Sequence, residues 1–206
     1  MEKINICFLG NWNIGANILN TIVSKNNLIV TAVITTINQD DPFSNLVYDV
    51  SINNKINVMN TNNTNWRLYL EENTFDLLIS ISFGYILKSQ HYKHSKYGAI
   101  NLHQSILPDF RGPDPILNAI IKNEDKIGFT IHYIDEGTDT GNVLYQSLWP
   151  LLTTDTLETI NKKIIDFSKA IICYVIEEFV IKEGGAGIIQ NGTSSNAPKI
   201  KPLKII

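Results

Sequence analysis

INICFLGNWNIGANILNTIV, residues 4 to 23, is the stretch that decides the fold. Ile4 to Leu9 is a short, almost unbroken apolar run that stops at Gly10. From Ala16 to Val23 apolar residues return at Ile18, Leu19, Ile22 and Val23 with helical spacing. A buried strand, a tight turn and an amphipathic helix follow from that order. Leu28 to Ile34 is a second apolar, β-branched run, followed by polar turn material through Pro42, then a helix or loop and a brief strand at Ile56 to Met59. Trp66 to Leu70 reads as a helix, and Phe75 to Ile81 and Ala99 to Leu102 as further buried strands. Short, continuously apolar strands separated by helices predict an α/β fold, a Rossmann-like and mostly parallel sheet covered by helices on both faces.

Beyond residue 112 the pattern changes. Pro115 to Ile121 reads as a helix, while Gly128 to Ile134 and Val143 to Leu151 read as strands. From Thr156 to Ile181 a long apolar stripe runs through Leu157, Ile160, Ile164, Phe167, Ile171, Tyr174, Val175 and Phe179. Asp155 or Thr154 is the expected cap and Gly184-Gly185 the expected stop. That stripe suits packing on the sheet or across a homodimer seam, and periodicity does not separate the two. Residues 1–184 are expected to form one domain and 185–206 a short C-terminal extension without periodicity.

Composition narrows the function classes. The 206 residues carry a formal charge of −3, with 17 Lys and Arg scattered against 20 Asp and Glu. No basic block is available to neutralise a run of phosphates, so no nucleic-acid partner is expected. Cys7 and Cys173 sit inside apolar runs and read as buried hydrophobes, which implies neither a disulfide nor a metal framework. Charged Glu2 and Lys3 lead straight into the first strand, unlike a signal peptide, and no run reaches membrane-spanning length. A cytoplasmic protein with no membrane partner is the expectation.

Two places carry candidate chemistry. The first is the turn Gly10-Asn11-Trp12-Asn13-Ile14-Gly15, between a strand and a helix, where backbone N–H groups and the helix dipole favour an anion. It lacks the third glycine of a dinucleotide fingerprint and the Lys-Ser/Thr of a phosphate loop, so a plain βα turn explains it equally well. Gly10, Asn11, Trp12 and Asn13 are nonetheless candidates for the wall of a substrate cleft, because open α/β sheets bind ligands beyond the carboxyl ends of their strands. The second place is more specific. Asn101 and His103 are two apart at the end of an apolar strand, so both point to one side, and a Gly-bounded loop downstream carries Asp139.

NLHQSILPDFRG, residues 101 to 112, and GFTIHYIDEGTDTG, residues 128 to 141, closely resemble the folate-dependent formyltransferase family, which acts on glycinamide ribonucleotide, methionyl-tRNA and sugar nucleotides. The likeness is strong over residues 75 to 146 and looser from residue 4. It implies that Asn101, His103 and Asp139 are the catalytic set, with no metal. Gln104, where many relatives have Pro, is a departure beside the catalytic His. The resemblance also implies 10-formyltetrahydrofolate as co-substrate. Phe83, Gly84, Tyr85 and Leu87 match the segment that packs on the pterin, and the backbone of Ile134, Asp135, Glu136 and Gly137 matches the loop that hydrogen-bonds its edge. On the residues alone, Phe83, Tyr85 and Leu87 suit a core as readily as a ligand wall. The chemistry asks for donors aimed at a formyl oxygen as it gains charge. Asn101 and a protonated His103 suit that task, with Asp139 favouring the imidazolium.

The resemblance leaves the amine acceptor open. The element Arg111, Gly112 and Pro115 is similar to that of the tRNA and sugar enzymes, and Arg111 and Gly112 are expected at the substrate. The tRNA enzymes add a C-terminal barrel, whereas about 20 residues follow the last expected helix here. Against glycinamide ribonucleotide stands the absence of a Gly-Ser-Asn phosphate grip in the first loop. A nucleotide-linked amino sugar of polysaccharide synthesis is the expected substrate, with glycinamide ribonucleotide the alternative and a non-catalytic or dinucleotide-binding Rossmann-like protein the reading from another class.

Overall fold

The computed structural model describes residues 2–38, 40, 45–182 and 184–200. The expected turn at Pro42 and the end of the C-terminal extension lie outside these. The chain runs β1 (Ile4–Gly10), α1 (Trp12–Val23), β2 (Leu28–Thr35), α2 (Leu46–Asn53), β3 (Asn57–Asn60), α3 (Trp66–Glu72), β4 (Leu77–Ile81), α4 (Ser89–Tyr92) and β5 (Ala99–His103). It continues with α5 (Pro115–Ile121), β6 (Lys126–Tyr133), β7 (Val143–Pro150) and α6 (Leu157–Tyr174), which passes into a π-helical segment, Val175–Lys182.

The strands form one sheet in the order β3-β2-β1-β4-β5-β6-β7. Pairing is parallel from β3 through β5, and β6 and β7 add antiparallel. Alternation along β1 splits the core in two. Ile4, Ile6 and Phe8 face a cluster with Ile18 and Ile22 of α1 and Ile160 and Ile164 of α6, while Cys7 and Leu9 face Trp66 and Leu70 of α3. Both cysteines are buried, as their apolar settings predict. Removing a ring such as that of fully buried Phe8 would cost about 3–5 kcal/mol.

The expected apolar stripe is only partly covered by the chain, with Ile160, Ile164 and Val175 fully buried and Leu157 42% exposed. Ile160, Ile164, Ile165 and Ile172 are buried in the first cluster, and Phe167 and Tyr174 remain exposed. The cap of α6 is Thr156, whose hydroxyl accepts from Thr159 N–H, in place of the expected Asp155 or Thr154. Asp155 instead receives the Lys163 ammonium at 2.7 Å. Gly10 fits the strand end because a Cβ there would meet the Phe8 ring at 2.6 Å and the Ile81 carbonyl at 3.0 Å. Among the described residues no helix is long and apolar enough to cross a membrane.

The described part of the expected C-terminal extension is bonded to the rest of the chain. Arg111 N–H donates to Ser195 O at 2.9 Å and Ala197 N–H to Arg111 O at 2.7 Å, so the described tail lies against the loop that follows β5.

Candidate functional site

Adjacent β4 and β5 end at the same sheet edge, and antiparallel β6 crosses it. Pairing sets Asn101 of β5 directly opposite His132 of β6, and His103 opposite Thr130. Asp139, on the loop leaving β6, swings over this edge with a φ of +52°, a left-handed backbone that Asp tolerates better than most side chains. Its carboxylate lies 3.6 Å from His103 Nδ1 and 3.6 Å from His132 Nε2. It accepts from Gly112 N–H at 2.9 Å and from the Asn101 carboxamide at 3.4 Å. The three residues singled out by spacing therefore meet in one cluster, and His132 joins them.

Partners fix the proton positions. His103 Nε2 lies 2.8 Å from the Phe110 carbonyl, which can only accept, so this nitrogen carries a proton and Nδ1 faces Asp139. His132 Nδ1 likewise donates to Tyr133 O at 2.7 Å, leaving Nε2 to accept from Asn101 Nδ2 at 3.1 Å. Burial pushes the His103 imidazole below its ordinary 6.5. The Asp139 carboxylate and the Phe110 carbonyl pull it up, but burial prevails. The direction set by burial runs against the expected protonated His103. Burial acts on Asp139 in the raising direction, yet the His132 and His103 rings and the Gly112 N–H together hold its carboxyl below 3.8. All N–H groups of Asn101 and the Nε2–H of His103 are turned onto protein acceptors in this arrangement, and the 3.4 Å bond from Asn101 to Asp139 is the longest of them.

A buried frame holds the loop after β5. Thr130 donates to Ser105 O at 2.7 Å and accepts from Leu107 N–H at 3.1 Å, while Gln146 donates to Leu107 O at 2.7 Å. Arg111 and Gly112, expected at the substrate, take part in this construction. Gly112 supplies its N–H to Asp139, and its φ of +114° against the Ala197 carbonyl leaves no room for a side chain. The Arg111 guanidinium donates to Gln190 Oε1 at 2.7 Å.

The expected folate wall divides. Phe83 and Leu87 are buried in the second core cluster beside Trp66 and Ile134. Gly84 and Tyr85 border a cleft of about 510 Å³ together with Ile86, Arg67 and Lys88. In the facing loop Ile134 N–H is spent on Ala99 O at 2.8 Å, and Gly137 N–H on the Asp135 carboxylate at 3.0 Å, which also takes the Thr140 hydroxyl. Asp135 thus shapes its own loop, with Glu136 exposed at the tip.

The first turn also divides. Asn11 is buried, and its carbonyl oxygen accepts from Thr35 Oγ1 at 3.0 Å and Thr36 N–H at 2.8 Å. Its amide donates to Ser82 O at 3.3 Å and Phe83 O at 3.5 Å. Those bonds tie the ends of β1, β2 and β4 and leave no hydrogen-bonding group of the side chain for a substrate. Trp12 and Asn13 are exposed at the helix start.

His132 was missed in the sequence because its partner stands 31 residues away. The one available signal was its place in the alternating run from Gly128 to Ile134, three residues before Asp135 opens the loop that carries Asp139. Gln190 offered no signal at all.

Comparison with known proteins bears on this cluster. Residues 4–176 match the family model described as formyl transferase. A methionyl-tRNA formyltransferase of Methylacidiphilum infernorum is 28% identical over 208 residues, 96% of this chain and 64% of that protein. One from Acinetobacter baumannii is 35% identical over 102 residues, 50% of this chain and 32% of its own. The chain thus spans from about a third to just under two thirds of the length of these relatives. Among solved structures, an N-formyltransferase from Helicobacter canadensis, in complex with folinic acid and dTDP-3-aminofucose, superposes with a TM-score of 0.74 at 26% identity, covering 95% of this chain and 70% of that one. A phosphoribosylglycinamide formyltransferase from Bacillus halodurans shares the fold, with a TM-score of 0.73 at 23% identity over 87% of this chain and 96% of its own. The match across residues 4–176 places the chain in the formyl transferase family.

Proposed function

We propose that this chain is a cytoplasmic enzyme that transfers a formyl group from 10-formyltetrahydrofolate to the amine of a nucleotide-linked amino sugar, with both substrates small molecules. The observation that carries the formyl-transfer reading is the meeting of Asn101, His103 and Asp139 at the β5 edge, with Asp139 within 3.6 Å of two imidazoles. In this reaction the amine lone pair forms a bond to the formyl carbon, the bond from that carbon to the folate nitrogen breaks, and the proton lost by the amine ends on the departing folate nitrogen. Neutral His103 has its Nδ1 lone pair free to take that proton, and the Asp139 carboxylate stabilises the imidazolium that results. The Asn101 amide exchanges its long bond to Asp139 for the formyl oxygen as charge builds there, a donor role worth about 3 kcal/mol.

The folate fits the chemistry of the cleft beside β4. Tyr85 offers a ring face, Gly84 a backbone approach, and Arg67 and Lys88 two cations for an anionic tail. Gly84, Tyr85 and the loop from Ile134 to Gly137 are its proposed contacts, with Phe83 and Leu87 supporting them from the core. Trp12, Asn13 and Arg111 are the proposed acceptor contacts, Trp12 through its exposed ring.

The amino-sugar acceptor is favoured by likeness to the Helicobacter canadensis enzyme solved with dTDP-3-aminofucose. A second reading, methionyl-tRNA as the amine, draws on the relative that is 28% identical across 96% of this chain. Release of tetrahydrofolate from 10-formyltetrahydrofolate tests both. The expected result is release only when a dTDP-, UDP- or GDP-linked amino sugar is present. Release with methionyl-tRNA or glycinamide ribonucleotide in its place reassigns the acceptor, and no release with any amine rejects formyl transfer.

A further inference from the structure

We propose that Gln190 is a positioning residue for the Asp139 carboxylate, so that the segment following the last helix is a working part of the site. The one carboxamide spans two loops. Its Oε1 accepts from Arg111 Nη2 at 2.7 Å, and its Nε2 donates to the Asp139 carbonyl at 2.9 Å and to the Gly141 carbonyl at 2.8 Å. Arg111 immediately precedes Gly112, whose N–H holds the same Asp139 by its carboxylate at 2.9 Å. Asp139 is thereby gripped at both ends, by its side chain from the loop after β5 and by its backbone from Gln190. The two grips are joined through Arg111.

Burial does not explain why the segment lies here. Ile188 and Ile189, just before Gln190, are 73% and 68% exposed, and Ala197 is its one buried apolar residue among those described. Polar bonds hold it instead. Arg111 exchanges backbone bonds with Ser195 and Ala197, Ser195 Oγ accepts from Phe110 N–H at 2.9 Å and donates to Asp109 at 3.1 Å, and Ile200 N–H donates to Asp114 at 2.7 Å. Phe110 is the residue whose carbonyl fixes His103. The strap therefore fastens the partners of both His103 and Asp139.

Only a carboxamide satisfies this arrangement, because it must accept from a cation and donate to two carbonyls at once. The Nε of Arg111 is buried without a partner, so Gln190 is the sole side-chain acceptor of the guanidinium among the described residues. Gln190→Met keeps the volume and removes every bond. Gln190→Glu keeps an acceptor for Arg111 and turns oxygen onto the Asp139 and Gly141 carbonyls. The two variants therefore separate fastening of Arg111 from placement of Asp139.

The inference rests on the formyl-transfer reading for its rate measurement but not for its spectrum. For Gln190→Met, kcat is expected to fall about tenfold to a hundredfold, the effect of displacing a catalytic group by roughly an ångström, with the KM for 10-formyltetrahydrofolate within about twofold. For Gln190→Glu, Tm is expected to return toward that of the unaltered protein while kcat stays low. In both variants the imidazole 1H–15N resonances of His103 are expected to move, a measurement that needs no acceptor and survives a wrong acceptor assignment. Unchanged His103 resonances in Gln190→Met, or full recovery of kcat in Gln190→Glu, would overturn the proposal.

Discussion

Two asparagines end neighbouring regions of the same sheet, and their surroundings differ in kind. Asn11, after β1, spends its whole carboxamide on a threonine hydroxyl, a backbone N–H and two carbonyls. Asn101, in β5, spends its amide on His132 and Asp139. The first holds three parallel strand ends together with groups that cannot change charge in the working pH range. The second is tied to groups whose charge and proton can move. Position at the carboxyl edge is common to both, so position alone does not make a catalytic residue. The titratable partner is what sets the proposed catalytic residue Asn101 apart from Asn11, and it is brought in by the antiparallel turn of the sheet from β5 into β6.

The contrast is breakable by substitution. The largest effects are expected at Asp139→Asn and His103→Ala, each lowering kcat by about 10²- to 10⁴-fold when tetrahydrofolate release is followed, with the fold retained by circular dichroism. Near-normal turnover in either variant would remove that residue from the chemistry. Asn101→Ala comes next, with an expected loss of about 10²- to 10³-fold in kcat. Asn11→Ala should instead register in stability. It leaves a backbone N–H and two carbonyls short of partners in a largely buried place, at a cost of about 2 kcal/mol. For a chain of this size that is a fall in Tm of about 4–8 °C by calorimetry. Loss of turnover in Asn11→Ala at unchanged Tm would dissolve the distinction between the two asparagines.

The smallest expected effect sharpens the same distinction through pH. His103 is held below 6.5, so the folded state favours the neutral ring. The stability this ring contributes is fully present above pH 6.5 and declines as pH falls toward its depressed folded value, where the unfolded chain binds the extra proton. Asp139, held below 3.8, contributes stability that persists above that pH and is lost as acid protonates it. Urea titrations across pH 4 to 8 should therefore show an upper decline that shrinks in His103→Ala, where the buried His91 ring, also held below 6.5 by burial, still contributes, and that persists in full in Asn11→Ala. A decline of equal size in both would place its source elsewhere.

The legible part of the molecule is the part governed by local periodicity. Ile4 to Val23 announces its strand, turn and helix because apolar spacing is a local signal, although the cores these residues face are completed by α3 and α6. Asn101 and His103 are legible for a similar reason, since alternation along one strand fixes their common side. Asp139 was legible through the Gly-bounded loop around it. His132 depends on which strand lies beside β5, and Gln190 on side-chain bonds made across some fifty residues to Asp139 and Gly141. Neither relation leaves a trace in spacing. The split between Phe83 and Leu87 on one hand and Gly84 and Tyr85 on the other was left open for the same reason. A chain that has left its strand loses the alternation that would say which side chain turns inward.

The backbone at Asp139 has a consequence for how this site would decay over time. A φ of +52° suits Gly, Asn and Asp far better than it suits branched or bulky residues. Of those three, only Asp brings a charge. A duplicated copy released from selection for activity but still selected to fold would therefore be expected to drift to Asn or Gly at this position. With Asp139 in its proposed catalytic role, such a replacement would mark a silent paralogue while the rest of its sequence still looked intact.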